Sequence, residues 1–265
     1  MKNLLNKVVA IIAASIFVTA CTSDEVAVSG TGNLKVEFDN AFGSNDLILS
    51  TQENTTSNSE VLKINKVKYI ISNIVLTNED GTTFKYPKSE SYFIIDEGTP
   101  ASLLANLENV PAGNYTKIKF GIGVDQEQFD LGATGQGDLL ANAQAAGLTW
   151  SWAAGYKFVV MEGSFSSPTV TNSASFKIHT GKSGSDYNYA EVTLVLPSRA
   201  IVRTSISPVV HIITDVSKIL DGVNKIKLSD NNPTGTAADI MFGSNLSLIT
   251  TNVSGMFKID HVHND

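Results

Sequence analysis

Cysteine is nearly absent from this chain; Cys21 is the only one. That excludes a disulfide framework, a cysteine-rich zinc site and an iron–sulfur centre. Arginine is almost as scarce, with only Arg199 and Arg203, and charged residues of all kinds make up 17% of the sequence. The formal net charge is −7, and the clustered Lys and Arg that a nucleic-acid binder uses against phosphates are missing. No nucleic-acid partner is expected. What is present is a hydrophobic content of 42% over 265 residues. That suffices for one large all-β domain or two small ones, and the β-branched and aromatic content argues against disorder.

The first segment has the character of an address. Lys2 and Lys7 precede an apolar stretch from Val8 to Val18, too short to span a bilayer but suited to a secretion signal. Val18-Thr19-Ala20-Cys21 follows, and small residues before a cysteine resemble a lipobox. Residues 1–20 are therefore expected to be a lipoprotein signal peptide, with lipidation at Cys21. Several acyl chains anchor stably where one is marginal, and acylation consumes the lone thiol. Position 22 is Thr, so no signal for inner-membrane retention is present, and Ser23-Asp24-Glu25 looks like a short acidic export tag. Residues 21–32 suit a lipidated, flexible tether. The expected location is the cell envelope, at the outer membrane.

The remainder, 33–265, is taken as one domain. Strand-like runs recur between Gly, Asn, Asp and Pro. Leu34 to Phe38, Val67 to Leu76, Thr82 to Tyr86 and Tyr92 to Ile95 fit strands. So do Trp150 to Ser164, Ser175 to His179, Ala190 to Leu196 and Val209 to Thr214. In Tyr115 to Val124, period two puts Ile118, Phe120, Ile122 and Val124 on one face and Lys117 and Lys119 on the other. Short helices are expected from Pro100 through Leu107, over Asp138 to Ala146 and at Asp215 to Leu220. Two more strands are expected between Met241 and His263. The fold class that follows is all-β, an antiparallel β-sandwich with a few short helices.

Catalytic motifs are missing. There is no Gly-x-Ser-x-Gly elbow. Gly121-Ile122-Gly123 lacks the third glycine of a dinucleotide loop, and Gly132 to Gly137 has no Lys-Ser/Thr after it. No enzyme is expected.

The four histidines are unevenly placed. His211 lies in Val209-Val210-His211-Ile212-Ile213, apolar on both faces, and is expected to be a buried core residue. His179 shares a face with Lys177 at a strand end and is expected to be reachable from solvent. In the tail Asp260-His261-Val262-His263-Asn264-Asp265, an extended chain sends His261 and His263 to the same side, roughly 7 Å apart. Such a pair can converge on a metal, with carboxylates beside it; the alternative is a frayed polar tail.

Trp150-Ser151-Trp152 places two indoles on one face of a strand, a pattern that usually serves packing. The surrounding Gly147-Leu148-Thr149-Trp150-Ser151-Trp152-Ala153-Ala154-Gly155-Tyr156-Lys157-Phe158 and Glu162-Gly163 resemble a block of the MbnP-like copper-binding proteins. Leu34-Lys35-Val36-Glu37-Phe38-Asp39, Val67 to Ile74 and Val110-Pro111-Ala112-Gly113-Asn114-Tyr115 are similar to further blocks. So are Phe120-Gly121-Ile122-Gly123-Val124-Asp125 and Phe176-Lys177-Ile178-His179-Thr180-Gly181. The resemblance implies an exported β-sandwich that binds copper through histidines, near a tryptophan oxidised by a partner haem peroxidase. It carries over to His179 and to Trp150 or Trp152. Where relatives carry a histidine after the first strand, this chain has Asp39-Asn40-Ala41, so His261 or His263 is expected to complete the site. Imidazole suits copper, and Met161 and Met256 are soft donors near these blocks. The competing expectation is a surface lipoprotein that binds glycan or peptide on Trp150, Trp152, Tyr187 and Tyr189.

Overall fold

The computed structural model describes residues 28–150 and 155–265. The expected signal segment, Cys21 and Trp152 lie outside these residues.

Among the described residues the strands are, in chain order, β1 (Thr31–Phe42), β2 (Asn45–Asp46), β3 (Asn54–Thr55), β4 (Val61–Asn78), β5 (Thr83–Lys85), β6 (Tyr92–Asp96), β7 (Leu104–Pro111), β8 (Gly113–Ile122), β9 (Lys157–Ser166), β10 (Ala174–Ser183), β11 (Asp186–Tyr187), β12 (Ala190–Val202), β13 (Val209–Asp215), β14 (Ala237–Ile240) and β15 (Phe257–His263). Four short helices, α1 (Gln126–Asp130), α2 (Leu139–Ala145), α3 (Lys218–Asp221) and α4 (Asn245–Val253), sit between them. The strands form two sheets. The smaller runs β15-β13-β1-β2, with β7 also paired to β1. The larger runs β11-β10-β9-β4-β8-β12, with β3, β5 and β6 on β4 and β14 on β10. This is the expected all-β sandwich, antiparallel except where β1 meets β13 and β10 meets β14.

The inner faces of both sheets meet in one core. Phe38 of β1, Tyr69 of β4, Phe120 of β8 and Phe257 of β15 pack edge to face, with ring centroids 5.1 to 6.3 Å apart. The buried Tyr69 hydroxyl bonds Asn40 at 2.9 Å and Thr214 at 3.2 Å, so its polar atom is satisfied on the way in. Ile118, Phe120 and Ile122 belong to this core as expected. Val124 does not. Gly123 takes φ +103 and turns the chain, so Val124 joins a second cluster with Ile70, Leu139, Phe158 and Val160. A side chain at Gly123 would strike the Phe158 ring, 2.4 Å from the Cβ position.

Three local expectations change. The helix expected through Leu107 stops after one 3₁₀ turn at Leu103, and β7 follows. Leu107 and Ala105 are buried in register with Leu34 and Val36, so pairing with β1 overrides the local helix signal. Between Met241 and His263 one element is the helix α4, whose Leu246, Ile249 and Val253 are buried at helical spacing. The strand expected from Trp150 begins only at Lys157; Trp150 precedes it, beyond the isolated bridge between Thr149 and Tyr156.

Candidate metal centre

The outer face of the smaller sheet gathers three histidines. Glu37 of β1 stands level with His211 of β13, which stands level with His261 of β15. His263 is opposite Val209. One ring nitrogen from each of His211, His261 and His263 can be chosen so that all three lie within 4.8 Å of one another. The His211 and His261 rings stack at 4.2 Å and 13°, and His263 stands edge-on to both.

A β-bulge makes this possible. Phe257 and Ile259 face the core, so plain alternation would send His261 and His263 inward too. The register of β15 on β13 shifts between His211 and Ile212. Asp260 and His261 together occupy the space opposite His211, and alternation resumes one residue later. Val262 then meets the buried Val210, and both tail histidines face out with His211. Bulges re-aim side chains in this way. The tail is not frayed: Asn264 Nδ2 donates to the Arg199 carbonyl, its Oδ1 accepts from the Ile201 N–H, and the Asp265 carbonyl accepts from the Ser207 N–H.

Each of two imidazoles is held at Nδ1 by a carboxylate. Glu37 Oε2 lies 2.7 Å from His211 Nδ1 and Asp260 Oδ2 lies 2.6 Å from His261 Nδ1. A carboxylate only accepts, so in the neutral imidazole His261 Nδ1 donates and Nε2 carries the lone pair. That Nε2 is 2.9 Å from Nε2 of His263, which therefore donates to it. Asp39 adds to the negative field; burial, then Asp46, Glu37 and Asp260, push its carboxyl above the usual range. The donor set and its carboxylate partners fit a transition-metal ion such as copper or zinc.

His211 thus departs from its expected core role. Val209 and Ile213 made its strand apolar on both faces, but those two are only half-buried on the outer face, and His211 lies between them with its side chain 23% exposed.

His179 departs as well. It is buried, on the outer face of the larger sheet, with Nε2 2.8 Å from Glu162 Oε1. The sandwich separates it from the tail histidines, so they do not share a site. Lys66 caps the same carboxylate at 2.8 Å. Burial pushes His179 below the ordinary imidazole value of 6.5, the Lys157 and Lys66 charges push the same way, and Glu162 opposes them. Burial alone would raise Glu162, but its bonds to Lys66 and His179 hold it low. The Trp150 indole packs on Gly181, two residues beyond His179 in β10, where a Cβ would fall 2.6 Å from the ring. Met161 and Met256 are core residues and offer no donor to either place.

A depressed histidine leaves a pH signature. The unfolded chain takes up the proton first on acidification, so this contribution to stability is complete above about 6.5 and is lost as pH falls through the folded value. Urea midpoints measured at about pH 7.5 and 5.5 should differ less in a His179→Gln variant than in the wild type. An undiminished difference would place the pH sensitivity elsewhere.

The aromatics expected to form a ligand groove are divided. Tyr187 donates its hydroxyl to the Val124 carbonyl and Tyr189 is bonded to Asn73, so both are engaged with the second cluster. Trp150 instead lines a cavity of about 360 Å³ with Phe129, Leu140 and Tyr156.

No curated protein matches the chain. Among solved structures, MbnP from Methylosinus trichosporium is similar, with 12% identity and a TM-score of 0.46 over 74% of this chain and 80% of that chain. A family profile described as MbnP matches residues 31–242, a span that takes in His179 and His211 and ends before His261 and His263. That match covers well over half of the sequence, and the chain belongs to the MbnP family.

Proposed function

We propose that this protein is a copper-binding member of the MbnP family, anchored in the cell envelope, and that it holds the metal on His211, His261 and His263. The observation that carries the reading is the convergence of the three imidazoles, two of them fixed by carboxylates. An ordinary exposed strand gains nothing from stacking three titratable rings. A metal ion binds the imidazole lone pairs for which protons compete, so binding weakens on acidification. The role is binding rather than catalysis. His179 leaves the ligand set, because it is 5% exposed and lies on β10 of the larger sheet, apart from the three histidines of the smaller one. Trp150 or Trp152 remains the tryptophan on which a haem peroxidase partner would act, and intact mass tests that oxidation.

Copper titration of the purified mature domain is the direct test. One ion per chain should bind, with a rise in melting temperature. At a free metal concentration a hundredfold above Kd, linkage adds about 2.7 kcal/mol to stability. A wild type that binds no copper overturns the reading, and the Trp150 cavity would then favour a small organic ligand.

The anchor has its own test. Wild type should partition into detergent and a Cys21→Ser variant should not, because the acyl chains go with the thiol. Equal partitioning would remove lipidation at Cys21.

A further inference from the structure

We infer that Glu37 and Asp260 are positioning residues that bias this site toward the divalent state of copper. The inference rests on the three-histidine reading above and goes further, because it assigns the oxidation state the site favours and the side chains that set it.

The donor chemistry is the first support. Thiolate and thioether ligands select Cu(I), whereas imidazole is compatible with Cu(II). Met161 and Met256 are 0% and 2% exposed in the core, and Met241 follows β14 on the larger sheet, so the described thioethers lie away from the histidines.

The second support is charge. Neutral imidazoles leave the ion's own charge unbalanced. Glu37 and Asp260 stand directly behind two of the ligands, at 2.7 and 2.6 Å. Two carboxylates balance a dication and leave a monocation with surplus negative charge around it. Hydrogen bonding to Nδ1 also makes Nε2 a more basic donor, and the gain grows with the charge of the ion. Asp39 lies in the same field.

The third support is placement. Both carboxylates come from the elements that build the site, Glu37 from the register of β1 on β13 and Asp260 from the bulge itself. Both are about half exposed, so either can be replaced without opening the core.

Chelator competition should measure Cu(II) affinity in air and Cu(I) affinity under anaerobic reductant, for wild type, Glu37→Gln and Asp260→Asn. Each substitution should weaken Cu(II) by about 10- to 100-fold, the loss usual for outer-shell partners of metal-bound histidine, and Cu(I) far less. The reduction potential of the bound copper should rise accordingly. The Cu(II) EPR signal should show nitrogen couplings in the wild type and shift in both variants, with Glu37→Asp restoring part of the wild-type affinity. Unchanged melting of the metal-free variants would confirm that the fold is intact. Equal losses in both oxidation states, or no loss, would overturn the inference while leaving the three-histidine site in place. A wild type that binds neither state would overturn that site and the inference with it.

Discussion

Replacing Phe120 with alanine should destabilise the domain by about 3–5 kcal/mol. Phe120 is fully buried and meets Phe38 at 5.7 Å and Phe257 at 5.1 Å. Its removal takes apolar surface out of the core and opens a hole that flanking strands, each fixed by its own ladder, collapse into only partly. No disulfide can compensate, since the chain has one cysteine. The neighbouring Lys119 is the contrast. It points away from the core and pairs with Glu191 in the open, with about two-fifths of each side chain exposed. Lys119→Ala should change stability by no more than about 0.5–1 kcal/mol, as for other exposed ion pairs. Urea unfolding of both variants decides the matter. Equal losses would mean that the two faces of β8 are reversed.

His261→Ala and His263→Ala should each abolish tight copper binding, and His211→Ala should do the same. The three nitrogens form one coordination set, and two imidazoles from adjacent strands do not replace three. All three side chains are at least partly exposed, so melting of the metal-free proteins should change little. His179→Ala should behave in the opposite way. It leaves Glu162 half-buried beside Lys66 with one partner fewer, and therefore lowers stability while copper affinity stays. Removing residues 261–265 altogether is a harsher change, because it also cuts the Asn264 and Asp265 bonds that tie the tail to its neighbours. A His179→Ala protein that loses copper while His263→Ala keeps it would move the site to the other sheet.

Much of the sandwich was legible because it is written in local alternation. Ile118, Phe120 and Ile122 against Lys117 and Lys119 give a strand with a defined inside, and the structure keeps it. The errors fall where distant pairing decides. Residues 104–111 have a weak local preference and become a strand only because β1 accepts them. His261 and His263 were legible as a same-face pair, since period two requires it. Which face they occupy was not, because it depends on the bulge at Asp260 and on an invisible partner strand. The apolar residues around His211 read as core, and nothing in the sequence reveals that Val209 and Ile213 line an outer face. Glu37 reaches the site through a parallel register with residues far along the chain, and no spacing rule links it to His211. The resemblance pointed to His179, and nothing in it reveals the Glu162 partner or the burial of that histidine.

The parallel pairing of β1 with β13 sets the order of events when the protein is made. Lys35 is matched with Val209, so the loop that must close spans about 170 residues, and pairings so distant fold slowly. β15 docks on β13, and neither β1 nor β15 has a finished sheet until β13 is in place. Synthesis delivers β1 long before β13, its parallel partner. β1 can pair with β2 and β7 early, but the edge that takes β13 stays open until that distant strand arrives. The three histidines therefore meet only once β15 has docked on β13.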